Sequence, residues 1–390
     1  MMSPKSTCLL ILSLALSACG GAGTTSIPGS PPSIGDARQF LDSGSITPAD
    51  STSILKKLTK DVTIGSTVDA KNGDMGPRAI SVAPTSFGKL KKDQILVCNF
   101  EDKSADAGKG TTLEVFSPNA NSKPTTFAQS SKIEGCDGTA LTSGNQVYAT
   151  GMTSKLMVYI NQSGQIKQLY SKPITMPIGV GEAPSPHLYA PIRIYVGNGD
   201  TGTIDTVGLG AYGTKLLEII KGFPVSKGSG WNAEGPSGLV YSCGIKPPSQ
   251  KCHDKKEDVL YVADGACNGV VSISNVSSLL IKDEITVGAG CKSFKCLYSS
   301  TSCGKLVKSG SPLNKPFAAA ILPNGNIVVA NSGDNTLVEL TPSGTVLGTK
   351  VIDKSKTPGI WGLYAIGTSD ANTAIYYTDT NSNELHELEQ

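Results

Sequence analysis

Between Lys315 and Asp353 the chain reads KPFAAAILPNGNIVVANSGDNTLVELTPSGTVLGTKVID, four short apolar runs parted by Pro-Asn-Gly, Ser-Gly-Asp-Asn and Pro-Ser-Gly. Glycine and asparagine accept the backbone angles of tight turns and β-branched residues favour a pleated backbone, so the segment predicts four strands joined by three turns. Val328 and Ala330 alternate with Val329, and Leu337 and Leu340 flank Glu339, as expected of strands packed on one or both faces. The unit is a blade-sized antiparallel meander.

The same order recurs along the chain with imperfect spacing. Gly235-Pro236-Ser237-Gly238 leads to VLYVADGACNGVVSIS, and Pro177-Ile178-Gly179 leads to IRIYVGNGDTGTIDTV. Gly135-Cys136-Asp137-Gly138 leads to QVYATGMTSKLMVYI, Gly76-Pro77-Arg78-Ala79 leads to QILVCNF and TTLEVFSP, and Pro358-Gly359-Ile360-Trp361-Gly362 leads to AIYYTDTNSNELHEL. Self-similarity at such a period signals a repeat fold. The last copy stops after its third strand, which would leave an unpaired edge open to other chains. DVTIGSTV, Asp61 to Val68, can supply the missing strand. The expectation is therefore an all-β, six-bladed β-propeller over residues 51–390, closed by an N-terminal strand. A two-sheet sandwich would use similar strands but has no reason to repeat with blade periodicity.

The small residues, the run IVVANSGDNTLVEL and the following Gly turn resemble NHL-type repeats, most closely in the copies at Gly235 and Lys315. The resemblance covers most of the chain from Gly76 and implies a binding surface at one mouth of the central channel. Such folds carry scaffolds, sensors and enzymes alike, so it implies no particular activity.

The N-terminus has a different character. One lysine, Lys5, precedes an apolar run from Cys8 to Leu16 that is short for a membrane span but suits a signal-peptide core. It ends in Leu16-Ser17-Ala18-Cys19, which resembles the lipobox of bacterial lipoproteins. That resemblance implies removal of residues 1–18, lipidation of Cys19 and anchoring to a membrane in the cell envelope. Gly20 in place of Asp points to the outer membrane, facing the periplasm or the cell surface. Residues 19–50 are mainly Gly, Ser, Thr and Pro with few bulky apolar side chains, a composition that forms a tether.

Beyond Cys8 and Cys19 there remain Cys98, Cys136, Cys243, Cys252, Cys267, Cys291, Cys296 and Cys303. An even set in an exported chain implies disulfides. Eight cysteines allow on the order of 100 full pairings, and the sequence alone leaves the choice open. Repeat position favours Cys98 with Cys136 and Cys243 with Cys252, and leaves the other four to staple a long insertion. The alternative is a zinc site of Cys291, Cys296 and Cys303 with His253, although none of these spacings is the usual C-x2-C. The net charge of +2, with no dense Lys/Arg run, provides no electrostatic footprint for nucleic acid.

Glu234-Gly235-Pro236 resembles the Glu-x-Pro that opens an inner strand in gluconolactonase-like propellers, where the glutamate binds a divalent cation. Glu182-Ala183-Pro184 is a weaker match. The resemblance implies Asn198, Asn331 and Asp379 as further ligands, and oxygen donors of this kind suit calcium. Asn and Asp at strand ends are also ordinary turn residues. Gly197-x-Gly199-x-x-Gly202 has dinucleotide-loop spacing but is followed by TIDTV rather than a helix, which favours a hairpin turn. The three histidines, His187, His253 and His386, belong to no local catalytic motif. Trp231, Trp361, Arg78 and Lys315 stand at inner-strand entrances, where they could meet a carboxylate or sugar.

These features point to a lipid-anchored, non-catalytic envelope module that binds a protein or glycan, the alternative being a calcium-dependent lactonase or related hydrolase. Expressed in a bacterial host, the chain should incorporate labelled palmitate and sediment with membranes. Cys19→Ser should abolish both while leaving the thermal melt of the folded domain unchanged.

Overall fold

The computed structural model describes residues 52–183, 192–209, 216–226, 233–242 and 258–390. The export segment with Cys19, the tether, and Trp231, Cys243, Cys252, His187 and His253 lie outside the described residues. A first strand, β1 (Lys60–Ser66), precedes blade 1, which comprises β2 (Met75–Val82), β3 (Ile95–Glu101), β4 (Thr112–Phe116) and β5 (Thr125–Gln129). Blade 2 contains β6 (Cys136–Leu141), β7 (Val147–Gly151), β8 (Leu156–Ile160) and β9 (Ile166–Tyr170). Blade 3 follows with β10 (Pro177–Ala183), β11 (Ile192–Asn198), β12 (Thr203–Leu209) and β13 (Leu217–Lys221). In chain order come β14 (Pro236–Ser242), β15 (Val259–Asp264), β16 (Gly269–Ser274), β17 (Ile285–Val287), β18 (Phe294–Cys296) and β19 (Gly304–Ser309). Blade 5 has β20 (Pro316–Ile321), β21 (Ile327–Asn331), β22 (Thr336–Leu340) and β23 (Val346–Val351), and the chain closes with β24 (Ile360–Ile366), β25 (Ala374–Asp379) and β26 (Glu384–Glu389).

The sheets form a six-bladed propeller with inner strands β2, β6, β10, β14, β20 and β24, each starting where a repeat was read in the sequence. β1 pairs antiparallel with β26 and completes blade 6. The Asp61 carboxylate in β1 accepts a 2.6 Å hydrogen bond from Tyr377 Oη and lies 3.3 Å from His386 Nδ1, while the His386 ring stacks on Tyr377. The terminal histidine thus serves the closure.

Each strand packs on both faces, which explains why its apolar residues run continuously. In β21, Ile327 and Val329 join the core shared with blade 4, whereas Val328 and Ala330 join the core shared with blade 6. In β11, Ile194 and Val196 face blade 2 and Tyr195 faces blade 4. Six such cores, one per blade interface, hold the ring. With side chains alternating across a strand, a single sequence feeds two interfaces, and each fully buried Val, Leu or Ile contributes about 1.5–3 kcal/mol. The approach is tightest at Gly179 and Gly197, where a Cβ would stand 1.8 Å from a carbonyl oxygen of blade 4.

The insertion between β16 and β19 departs from the simple repeat. Its strands β17 and β18 leave blade 4 and extend blade 3, with β17 parallel to β13, so that blade 3 becomes six-stranded. Ile285, Val287 and Cys291 join the core between blades 3 and 4, so the insertion does carry apolar anchors. Cys98 and Cys136 bond across blades 1 and 2, Cys267 bonds Cys291, and Cys296 bonds Cys303. The first pair is the one favoured by repeat position, and the four insertion cysteines pair among themselves. Cys291, Cys296 and Cys303 are therefore not free thiolates, which removes the zinc alternative among the described residues.

Glu339, the polar residue between Leu337 and Leu340, is fully buried. Its carboxylate accepts from Ser53 Oγ (2.6 Å), the Leu55 and Ile54 amides (2.9 and 3.3 Å) and Asn326 Nδ2 (2.9 Å). These contacts seat Ile54, Leu55 and Leu58 in the core between blades 5 and 6. Glu339→Ala would leave four buried donors without their acceptor and should lower the unfolding free energy by at least about 3 kcal/mol in urea titrations. Substitution of the exposed Lys60, paired with Glu389, should leave the transition unmoved.

Candidate functional site: the central channel

The inner strands of all six blades line one open channel with a cavity volume of about 490 Å³. Its entrance is set by the first residues of the inner strands, and its far end by their last. Arg78 closes over the entrance from blade 1. The guanidinium carbon stands 3.6 Å from the ring centre of Phe100 and 4.3 Å from that of Trp361, and Nη1 lies 3.5 Å from Asp137 Oδ2. Trp361 in turn meets Phe317 edge-on at 4.7 Å. Blades 5, 6, 1 and 2 are thereby joined at the rim by one cation, three rings and one carboxylate.

Both members of this ion pair are buried. Burial pushes Asp137 up to about 7 against the pull of Arg78, because one 3.5 Å contact does not replace the hydration of a carboxylate. Arg78 and Trp361, expected as ligand contacts, thus already engage each other, with Trp361 5% exposed.

The candidate calcium ligands occupy repeat-equivalent places without converging. Asn198, Asn331 and Asp379 each pair with the first residue of their blade's inner strand, as does Asp264, and Asn99 pairs with Pro77 two residues into β2. Their side chains turn to their own blades. Asn198 accepts from the Thr175 amide and donates to Thr203 Oγ1 and Asp205 Oδ2, Asn331 donates to the Pro312 carbonyl, and Asp379 accepts from the Asn381 amide. Glu234 Oε1 lies 2.6 Å from Lys315 Nζ beside a small pocket that Trp361 also lines. Each of these side chains is thus engaged within its own blade or, for Glu234, with Lys315. Among the described residues, the one group of three or more His, Cys, Asp or Glu donors close enough to share an ion is Asp264, Cys267 and Cys291, and its two sulfurs form a disulfide. Gly197 to Gly202 is a hairpin turn between β11 and β12, with Gly202 at φ +65.

At the far end the strand register defines a ring. Val82, Leu141, Glu182, Tyr241, Ile321 and Ala365 each pair with the residue four positions before their blade's strand-end Asn, Asp or Gly. Glu182 is the one carboxylate among them and looks into the channel, half-exposed to its space but surrounded by protein. Burial pushes it up to about 8, and its Oε1 has no hydrogen-bond partner. Sequence reasoning noted Glu182 only as a weak calcium match. Aligning the six copies on their Gly/Pro entrances would have set it apart as a lone acid in an apolar column.

No family model and no curated protein matches the chain. Among solved structures it is similar to a protein of unknown function from Bacteroides thetaiotaomicron, with TM-score 0.51, 9% identity, and 84% of this chain and 74% of that chain covered. It is also similar to virginiamycin B lyase from Staphylococcus aureus, with TM-score 0.48, 12% identity, and 85% and 98% covered. The WD40 propeller domain of Doa1 gives TM-score 0.47, 10% identity, and 85% and 98% covered. At these identities the likeness concerns the fold.

The entrance clasp yields a direct test. Arg78→Met leaves Asp137 buried without its counter-charge, which should cost about 3–5 kcal/mol of stability at pH 8. The loss should shrink as the pH falls toward the Asp137 value of about 7 and level off below it, where the carboxyl is protonated with Arg78 present as well. The double variant Arg78→Met/Asp137→Leu should recover most of it in the same urea titration.

Proposed function

We propose that this chain is a lipid-anchored module of the cell envelope that binds a protein or glycan at its channel and does not turn it over. The observation that carries the reading is the channel itself. It is open, its walls are mostly apolar or small, and all six blades build it. At the entrance Arg78 pairs with Asp137 and Glu234 with Lys315, and Asn198, Asn331 and Asp379 each bond groups of their own blade or its adjoining loop. A concave, largely apolar space with few convergent polar groups is the usual form of a binding site.

A second surface supports contact with a macromolecule. Leu280, Ile281, Leu297 and Tyr298 on the insertion are exposed. The amides of Leu280 and Ile281 bond the Glu284 carboxylate and that of Leu297 bonds the Glu284 carbonyl, which ties the backbones of three of these four residues to Glu284. Exposed apolar groups gathered on one segment mark candidate interaction surfaces. The calcium-dependent lactonase reading draws less support, because Glu234 is paired with Lys315 and the strand-end Asn and Asp side chains turn inward on their blades.

Cross-linking in intact envelopes at native abundance should recover a reproducible protein or glycan with the wild-type chain. Ala365→Trp, which fills the channel ring, should lose it while keeping its melting temperature. Recovery identical to that of a lipid-anchored control protein would defeat the binding reading. A stoichiometric divalent cation together with calcium-stimulated lactone hydrolysis would establish the enzyme instead.

A further inference from the structure

Glu182 is a chemical exception inside a repeated structure. Blades 1, 2, 4, 5 and 6 place Val82, Leu141, Tyr241, Ile321 and Ala365 at its level of the channel, so the fold itself needs no acid there. Glu339, a structural carboxylate, has donors gathered around it. Among the described residues Glu182 Oε1 has none, as is true of Glu114 and Asp205 within the blades, but unlike them Glu182 lines the open channel. An unpaired buried acid costs stability, and acids of this kind concentrate where a ligand supplies the missing partner.

What surrounds the carboxyl narrows the ligand. Tyr241 comes from the neighbouring blade 4 and Tyr364 from blade 6, opposite blade 3 across the ring. Both line the channel near enough for the charge of Glu182 to act on their phenols, as it does on Tyr195 behind it. Those three phenols are held in their neutral form, and beyond Tyr195 stand Arg193 and Asp258. The remaining ring members are aliphatic. One carboxyl and phenols cannot furnish the six to eight oxygens of a calcium shell. Among the described residues no Lys or Arg occupies this level of the ring, so an anion has no counter-charge from the inner strands. A carboxylate faced by aromatic rings within an apolar sleeve suits an ammonium group carrying a hydrocarbon chain.

We propose that the far end of the channel binds an organic cation, with its ammonium group on Glu182 between Tyr241 and Tyr364 and its chain along Val82, Leu141 and Ile321. The assignment rests on reading the channel as a binding site and names the ligand class for it. Because burial holds Glu182 at about 8 in the empty protein, entry of the cation expels the carboxyl proton to solvent.

The test is calorimetric titration of the full chain in detergent with n-butylammonium chloride, beside 1-butanol as the uncharged analogue. n-Butylammonium should bind and 1-butanol should not. Affinity should rise about tenfold per pH unit below pH 8 and level off above it, with one proton released per cation bound. Glu182→Gln should weaken binding at least about tenfold at unchanged or higher thermal stability, since it removes an unpaired buried acid. Ala365→Trp, which fills the ring without touching the carboxyl, should also block it. Equal binding of the alcohol, affinity that falls as the pH rises through 8, or full binding by Glu182→Gln would each overturn the proposal. If the cation fails to bind while Ala365→Trp still abolishes cross-linking to the partner, the cation assignment falls and the channel reading stands. If neither effect is seen, both fall.

Discussion

Pairing between β1 and β26 is the constraint on which the molecule depends, because it converts a row of six sheets into a ring. Without it blade 6 would end on an open edge, and the interface between blades 6 and 1 would lose Ile64 from its core. The contact is reinforced where Asp61 accepts from Tyr377 and faces His386. Just upstream, Glu339 draws Ile54, Leu55 and Leu58 into the core between blades 5 and 6. The N-terminal segment therefore bridges the last two blades before it closes the last one. All six interfaces then enclose a common axis, and the channel exists only because the ring is shut.

Closure also explains where polar groups can survive. Strands buried on both faces have no solvated side, so every buried carboxylate, amide or cation must find a partner or change its protonation state. Glu339 finds four donors, Asn198 a threonine and an aspartate, and Arg78 two rings and Asp137. Glu182 is left without a partner for one oxygen, in a space that is open to a ligand. Glu182 shares that state with blade carboxylates such as Glu114 and Asp205, but it lines the channel and they do not.

Much of the architecture was legible because a propeller repeats its local chemistry. Gly or Pro entrances and β-branched second strands recur six times, Asn or Asp ends the second strand in five of the copies, and Asp61 to Val68 has the pattern of a strand that the last copy lacks. The Cys98–Cys136 bond was also within reach, since those residues sit on adjacent repeats. The movement of β17 and β18 into blade 3 was not, because three-residue strands carry almost no periodic signal and their partner, β13, lies in another repeat. The burial of Glu339 was out of reach for a related reason: alternation along a strand shows which residues share a face, but not that an N-terminal segment will return to cover that face.

The sequence by itself determined the strand-and-turn alphabet, the number of blades, the way the ring closes and the even set of cysteines, all of which follow from local backbone preference and repetition. Only the tertiary structure decided which polar groups meet. It joined Arg78 to Phe100, Trp361 and Asp137, engaged Asn198, Asn331 and Asp379 with groups of their own blades, and placed Glu182 with Tyr241 and Tyr364 in the lining of one channel. The physical reason is distance along the chain. Those partners come from different blades, and their meeting depends on ring radius, strand register and desolvation, which no local pattern records.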